Sequence, residues 1–329
     1  MGVKEDIINY CCSLGIDSVG FIKCRRFDEL EEFYKYRKSH NLENEFEEKD
    51  IEKRINPQMS FEGGKTIVSI AFPYLGFNNK NDNGFSVYTK GTDYHYVLHK
   101  YLDKVVETIE NYGGSAKVFV DSNPLPERYI AYLAGVGFIG KNNLLITQKY
   151  GSYVFLGEII TDLEFYDKDN GTFEELNKFK KCGECEICYK ECPTKAINKN
   201  RKNCNICLSY ITQKKDLKDW EMKKLDGRVF GCDSCQNKCP YNEEAEFTPI
   251  EEFKPFEFMT EAKEEGIINM GNSDFKNSFK KTSCGWRGKN VLKRNALIRK
   301  TLYLKDSESI KNIKFDSEYL QEYIKRLLE

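Results

Sequence analysis

No run in this sequence approaches the roughly 20 apolar residues that a membrane helix needs, and no basic, apolar, small-residue leader opens it. A membrane-spanning role is set aside and a cytoplasmic location is expected. The chain also has no field of one sign, because 51 Lys and Arg stand against 52 Asp and Glu. That excludes whole-molecule attraction to nucleic acid, although a balanced total can conceal local patches. Internal repeats long enough for a solenoid are missing, and so are low-complexity linkers.

A complete nucleotide fingerprint is missing too. The stretch GVGFIGKN, residues 135–142, fits G-x-G-x-x-G and most of a P-loop. Both patterns require a strand that hands the chain to a helix. Here PERYIAYLA precedes the glycines, with Pro126 suited to a helix start and Tyr129, Ile130 and Leu133 at helical spacing, so a helix enters them instead. Asn142 stands where a P-loop needs Ser or Thr. The glycines are expected to end that helix and to let backbone approach something flat and large.

What the sequence does have is enough apolar residue, 40 % with 22 Phe and 20 Tyr, to fill the cores of one large or several modest domains. Helical periodicity at Val3, Ile7, Ile8, Cys11 and Leu14 is followed by a short strand, then by the buried strand TIVSIAFPY. A second helix repeats Val97, Leu98, Tyr101, Leu102, Val105 and Ile109 up to Gly113, and KVFVD is a further strand. NLLIT and SYVFLGEIITD flank QKYG and predict an antiparallel pair. Such alternation argues for an α/β or α+β domain with a mixed sheet over residues 1–175. Residues 176–250 hold most of the cysteines, and 251–329 are short and helical. Residues 276–300 contain nine Lys or Arg and no acid, a candidate phosphate-facing patch whose bland alternative is a solvated basic helix.

Thirteen cysteines, an odd number in a chain expected to meet a reducing cytosol, point to metal before disulfides. Cys182, Cys185, Cys188, Cys192 and Pro193 spell C-x2-C-x2-C-x3-C-P, the bacterial ferredoxin run in which three thiolates hold one cubane and the fourth crosses to another. Zinc prefers paired C-x2-C with a wide gap. Cys232, Cys235 and Cys239 with Pro240 supply the second run, one ligand short. The crossover rule then assigns Cys182, Cys185, Cys188 and Cys239 to one cluster, and Cys232, Cys235 and Cys192 to the other, completed by Cys207 or Cys204. Cys11, Cys12, Cys24 and Cys284 have no partner pattern and are expected to behave as small hydrophobes. His95 and His99, four apart, lack a third ligand and the H-E-x-x-H glutamate, so surface or packing roles are expected.

VDSNPLPERYIAYLAGVGFIGKNNLLI, GSYVFLGEIITD, CGECEICYKECPTKAI, CLSYIT and GCDSCQNKCPYN, in this order, together with GTDYH and RNAL, resemble the epoxyqueuosine reductases. These are cobalamin-dependent iron–sulfur enzymes of tRNA modification, similar to reductive dehalogenases. The resemblance spans residues 50–300. It implies a cobalamin-binding first domain, a ferredoxin-like second domain with two 4Fe-4S clusters, and reduction of epoxyqueuosine to queuosine at the wobble position of tRNA. It implies Asp121 as proton donor, a role that desolvation could support by keeping the carboxyl protonated; a strand-end cap is the plainer alternative. It also implies cobalamin contacts from Arg54, Lys141, Ser152, Ser209, Gln213 and Asp233, prefers Cys207 to Cys204, and seats the glycine segment against the corrinoid. The expected partners are tRNA and an external low-potential electron donor, with no membrane and a monomeric chain. The chain stops at Glu329 where many family members continue into helical repeats, and Thr92 replaces the family's usual Arg. A corrinoid iron–sulfur reductase of a small molecule, or a ferredoxin-type electron carrier, are the competing readings.

Overall fold

The computed structural model describes residues 2–77, 82–200 and 202–329. Its strands are β1 (Val19–Lys23), β2 (Thr66–Pro73), β3 (Ala116–Phe119), β4 (Phe138–Ile139), β5 (Leu145–Ile146) and β6 (Val154–Thr161). Four of them form the central sheet in the order β1-β2-β6-β3, while β4 and β5 form a separate pair. Every residue of β2 is buried, as its unbroken apolar run requires.

The sheet corrects the expectation of mixed strand directions: β1 with β2, β2 with β6 and β3 with β6 are all antiparallel. Parallel pairing among the described residues is confined to isolated bridges, Ile22 with Asp167 and Phe85 with Phe230. Alternation of helix and strand in sequence does not fix direction, because long connections can return a strand either way. The hairpin expected across QKYG is reduced to one bridge, Thr147 with Gly151. β5 pairs instead with β4, and β6 moves to the sheet centre, where its second half is wholly buried.

Alternation along β2 splits the core in two. Val68, Ile70 and Phe72 pack beneath the helices Val3–Ser13 and Tyr94–Asn111. Ile67 and, from β6, Ile160 pack on the opposite face beneath the helix Glu127–Leu133. That helix ends as expected on Gly135, at φ 74°, where a left-handed residue closes the last turn. The remaining cores cross the expected boundaries: Ile250 and Phe253 belong to the first core, and Phe85, Val229 and Phe230 pack with the C-terminal helices. No helix among the described residues is long and apolar enough to cross a membrane.

Candidate functional site

The cysteines separate into two sets. Cys182, Cys185, Cys188 and Cys239 line one cavity of about 240 Å³ together with Lys141, Asn142 and Tyr241. Cys182 to Cys188 reach it from a turn and the start of the short helix Ile187–Glu191, and Cys239 comes from 51 residues further along the chain, just before Pro240. Cys192, Cys207, Cys232 and Cys235 form the other set, near enough for Cys235 to feel the charges of Cys232, Cys207 and Cys192. The crossover spacing expected these two groupings, and the structure brings the members of each near one another. No three His, Cys, Asp or Glu side chains among the described residues converge on a point suited to a single metal ion. The first set instead rings a volume, which is what a cubane with thiolates at its corners requires.

Cys204 is turned away from the second set. Its thiol meets Leu42 O at 2.9 Å and Glu47 Oε1 at 2.8 Å, beside the ion pair of Glu47 with Arg37 at 2.7 Å. Cys11, Cys24 and Cys284 are buried and Cys12 is exposed.

Asp121 follows β3 in a tight turn at φ 50°, a left-handed conformation uncommon for a residue with a side chain. Its Oδ2 lies 3.4 Å from His95 Nε2, and His95 Nδ1 lies 2.8 Å from Asp93 Oδ1. Asp93 caps the helix Tyr94–Asn111, so the helix start fixes the imidazole between two carboxylates. Burial works to raise the Asp121 pKa, but the hydrogen bond and charge of His95 outweigh it and hold the carboxyl below its ordinary range. Burial works to lower His95, and its bonds to Asp121 and Asp93 overcome that, lifting it to about 9. Desolvation therefore does not keep this carboxyl protonated as expected. At neutral pH the proton of the pair resides on His95. The other histidine of the suspected pair, His99, is exposed and plays no part.

Asp121 is accessible yet closely surrounded by other atoms. Its side chain remains 57 % accessible, yet burial is the largest influence on its titration. Arg128 combines an exposed surface with a pKa depressed by burial. Both are accessible side chains with many atoms close around them. Tyr88 lies between Asp121 and the segment that carries Cys207, since its hydroxyl bonds Ser209 and it feels the charges of Asp233 and Asp121. Tyr94 stacks on Phe155 at 4.3 Å, giving an aromatic lining.

Four of the six residues expected at the corrinoid are joined, Ser152 to Asp233 through Gln236, and Asp233 to Ser209 and Gln213 through Tyr88. Ser209 adjoins Tyr88, and Gln213 accepts from Trp286 Nε1 at 3.0 Å and donates to Ser209 O at 2.9 Å. Asp233 is engaged by Ser86 Oγ at 2.5 Å and Val87 N at 2.8 Å, and buried Ser152 donates to Gln236 Oε1 at 2.9 Å. Arg54 pairs with Glu43 and Glu47, each at 3.2 Å, and stacks 3.9 Å from the Tyr34 ring. Lys141 lies at the cavity of the first thiol set, where its ammonium donates to Gly183 O at 2.6 Å and Cys185 O at 3.0 Å, bracing the first cysteine loop. The glycine segment packs closely on β5. A Cβ on Gly137 would meet Ile146 O at 2.5 Å, and one on Gly140 would meet Ile146 Cδ1 at 2.6 Å. The clash with backbone makes glycine necessary at 137, while at 140 the end of the Ile146 side chain would have to shift.

Burial also corrects the basic stretch. Arg294 is wholly buried and donates to Lys214 O at 2.7 Å and Lys215 O at 2.8 Å. Arg299 pairs with Glu264 and Lys300 with Glu265. The cations left without a carboxylate partner among the described residues include Lys276, Lys280, Lys281, Arg287 and Lys289. Arg287 lies over both Phe46 and Trp286, at 5.7 and 4.9 Å. Those rings are 43 % and 49 % exposed and meet edge to face at 5.3 Å.

Comparison with known proteins accords with this arrangement. Residues 54–122 match the family model described as epoxyqueuosine reductase QueG, DUF1730, and residues 181–242 match the 4Fe-4S double cluster binding domain. The epoxyqueuosine reductase of Bacillus anthracis is 34 % identical over 310 residues, covering 90 % of this chain and 79 % of the relative. The chain belongs to the epoxyqueuosine reductase family. It is accordingly an oxidoreductase. Among solved structures, an epoxyqueuosine reductase with an epoxyqueuosine-modified tRNA-Tyr stem loop is 30 % identical with a TM-score of 0.88, covering 99 % of this chain and 90 % of that one. The epoxyqueuosine reductase of Bacillus subtilis, with its catalytic aspartate loop swung out of the active site, is 30 % identical with a TM-score of 0.86, covering 99 % and 89 %.

Sequence reasoning missed His95 as the partner of Asp121. The signal available was Asp93 followed two residues later by His95, a cap that presents an imidazole at a helix start. It also passed over Tyr94, Tyr88 and Glu127, whose roles depend on contacts between distant segments.

Proposed function

We propose that the chain reduces the epoxide of epoxyqueuosine to queuosine in tRNA, with Asp121 and His95 supplying protons in the cleft that the second thiol set adjoins. The observation that carries this reading is the chain of contacts that runs from the Asp121–His95 pair through Tyr94 and Tyr88 to Ser209, two residues from Cys207 of the second thiol set. Cys182, Cys185, Cys188 and Cys239 would hold one 4Fe-4S cluster, and Cys192, Cys207, Cys232 and Cys235 the other. An aromatic recess with hydroxyl and amide groups fits a large flat ring bearing polar side chains, and Ser209, Gln213 and Tyr88 are the residues best set to hold cobalamin there. When bound, cobalamin supplies low-potential reducing chemistry at its metal.

Removing an epoxide oxygen as water and leaving an alkene consumes two electrons and two protons. Asp121 is the group that faces the recess, so it passes the proton, and His95, the protonated partner at neutral pH, restores it. Asp93 keeps the imidazole aimed at Asp121. In the Bacillus subtilis relative the catalytic aspartate loop can leave the site, and the same freedom for residues 120–124 would admit substrate.

The segment carrying Lys281 runs past this pair, since Lys281 O accepts the backbone N–H of Asp93 at 2.9 Å. Next along it, Trp286 and Arg287 with Phe46 present exposed ring faces and a cation beside the mouth, the combination on which single-stranded RNA bases stack. This patch replaces the buried part of the basic stretch as the tRNA contact. Electrons enter from an external low-potential donor, and the chain works as a monomer with residues 1–175, 176–250 and 251–329 contributing the recess, the clusters and the RNA contact.

Turnover of an epoxyqueuosine-containing stem loop tests the reading. Asp121→Asn is expected to slow it about 10²- to 10⁴-fold, the usual worth of a general acid, with iron and cobalt content unchanged. Undiminished turnover would reject Asp121 as donor.

A further inference from the structure

We propose that Glu127 is a positioning residue for the proton donor: its carboxylate latches the Asp121 turn in the active conformation by accepting from the backbone of Asp121 and the side chain of Asn123. Glu127 Oε1 receives Asp121 N–H at 2.8 Å and Asn123 Nδ2 at 2.7 Å. The turn so held is tight, with Ser122 N on Val120 O at 2.6 Å and Asn123 N on Asp121 O at 2.7 Å. Such a turn, with a non-glycine residue at φ 50°, persists only where its surroundings over-determine it. Glu127 is suited to that task because it opens the helix Glu127–Leu133, which is seated on the sheet through buried Tyr129, Ile130 and Leu133. The anchor is therefore rigid and the turn it holds is not.

A second buried carboxyl stands under the same helix. Glu158 on β6 pairs in register with Ser69 and Phe119, shares the sheet face of Ile160, and is wholly buried. Its Oε1 accepts from Ser69 Oγ at 3.2 Å, and its Oε2 has no hydrogen-bond partner among the described residues. Burial, then the charge of Asp121, pushes Glu127 up to about 7, against the pull of Asn123, the Asp121 N–H and Arg128. A protonated carboxyl keeps its carbonyl oxygen as an acceptor, so the latch holds on both sides of that pKa. Only the acceptor atom is required. Glutamine, which has it, should serve, and alanine should not.

The inference rests on Asp121 as the proton donor, and the test separates the two. Amide hydrogen exchange across residues 119–126 is measured on anaerobic holoenzyme of wild type, Glu127→Ala, Glu127→Gln and Asn123→Ala, together with stem-loop turnover. Glu127→Ala should speed exchange at the Asp121 amide about tenfold or more, the worth of one hydrogen bond to a charged acceptor, and lower kcat by a similar factor with KM for the stem loop little changed. Glu127→Gln should return both to within about threefold of wild type, as expected of a residue that needs only to accept. Asn123→Ala, a change in an accessible turn, should give an intermediate acceleration. In an Asp121→Asn background, Glu127→Ala should cost nothing further, because a residue acting through Asp121 is non-additive with its loss. Unchanged exchange at the Asp121 amide in Glu127→Ala, or an equal fall in kcat on the Asp121→Asn background, would overturn the latch. Full activity of Asp121→Asn would remove the donor and leave the exchange result standing.

Discussion

Arg294 looks from sequence like part of an RNA-binding stretch, and its charge reversal separates that role from a structural one. The side chain is wholly buried and has no carboxylate partner among the described residues. It is held instead by Lys214 O at 2.7 Å, Lys215 O at 2.8 Å and Thr212 O at 3.2 Å, carbonyls of the turn that carries Gln213. Two of these oxygens have second donors, Asn295 Nδ2 for Thr212 and Tyr319 OH for Lys215. An apolar replacement thus orphans Lys214 O and also Asn295 Oδ1, which accepts from Arg294 alone among the described residues, and relief of the cation's own desolvation partly offsets the loss. Arg294→Met should then cost about 2 kcal/mol. Arg294→Glu buries a carboxylate against the same carbonyl oxygens and should cost about 5 kcal/mol or ionise only with difficulty. At about 2–4 °C per kcal/mol for a chain of this class, anaerobic scanning calorimetry at one scan rate should show Arg294→Glu melting roughly 10 °C or more below wild type. Arg294→Met should fall between them. A charge-reversed protein melting within about 2 °C of wild type would refute the carbonyl cage and restore Arg294 to the RNA surface.

Three further outcomes follow from the same geometry. Lys281→Glu should leave the melting temperature nearly unchanged and Arg287→Glu, which gives up the bond of Arg287 Nε to Gln213 O at 2.8 Å, should lower it modestly; both should weaken stem-loop binding and each flatten the salt dependence by about 0.7 in log–log slope if one phosphate contact is lost; unchanged affinity would place RNA elsewhere. His95 titrates above its unfolded value, so the stabilisation from its pair with Asp121 is present below about 6.5 and is lost as pH rises through about 9. Turnover should fall along that alkaline limb, and His95→Gln should be slow at all pH with the limb gone; a limb that survives the substitution would exclude His95 as its source. Lys141→Met should loosen the Cys182 loop and lower iron retention while leaving cobalamin content intact, and the reverse pattern would return Lys141 to the corrinoid.

The two thiol sets were legible in sequence because cluster chemistry fixes short spacings: Cys182, Cys185, Cys188 and Cys192 are read from twelve consecutive residues. The role of Cys239 followed from the crossover rule and not from proximity. Helices with clear periodicity, such as Tyr94–Asn111, were equally readable, as was the helix that ends on Gly135. Strand direction was not, since alternation leaves it open, and β6 paired with β2 and β3 where sequence suggested a local hairpin. Charge was legible but its burial was not: Arg294 and Lys281 look alike in sequence, and only tertiary packing puts one under a carbonyl cage and the other on the surface. The same holds for His95, whose meaning comes from a turn 26 residues away.

The division of thiols into Cys182, Cys185, Cys188, Cys239 and Cys192, Cys207, Cys232, Cys235 is tested most directly by iron content after anaerobic reconstitution with iron, sulfide and cobalamin. The account predicts about eight iron atoms and one cobalt for wild type and for Cys204→Ser, and about four iron atoms for Cys207→Ser and for Cys239→Ser. Wild type holding a single zinc, or Cys204→Ser losing half its iron while Cys207→Ser keeps all of it, would contradict it.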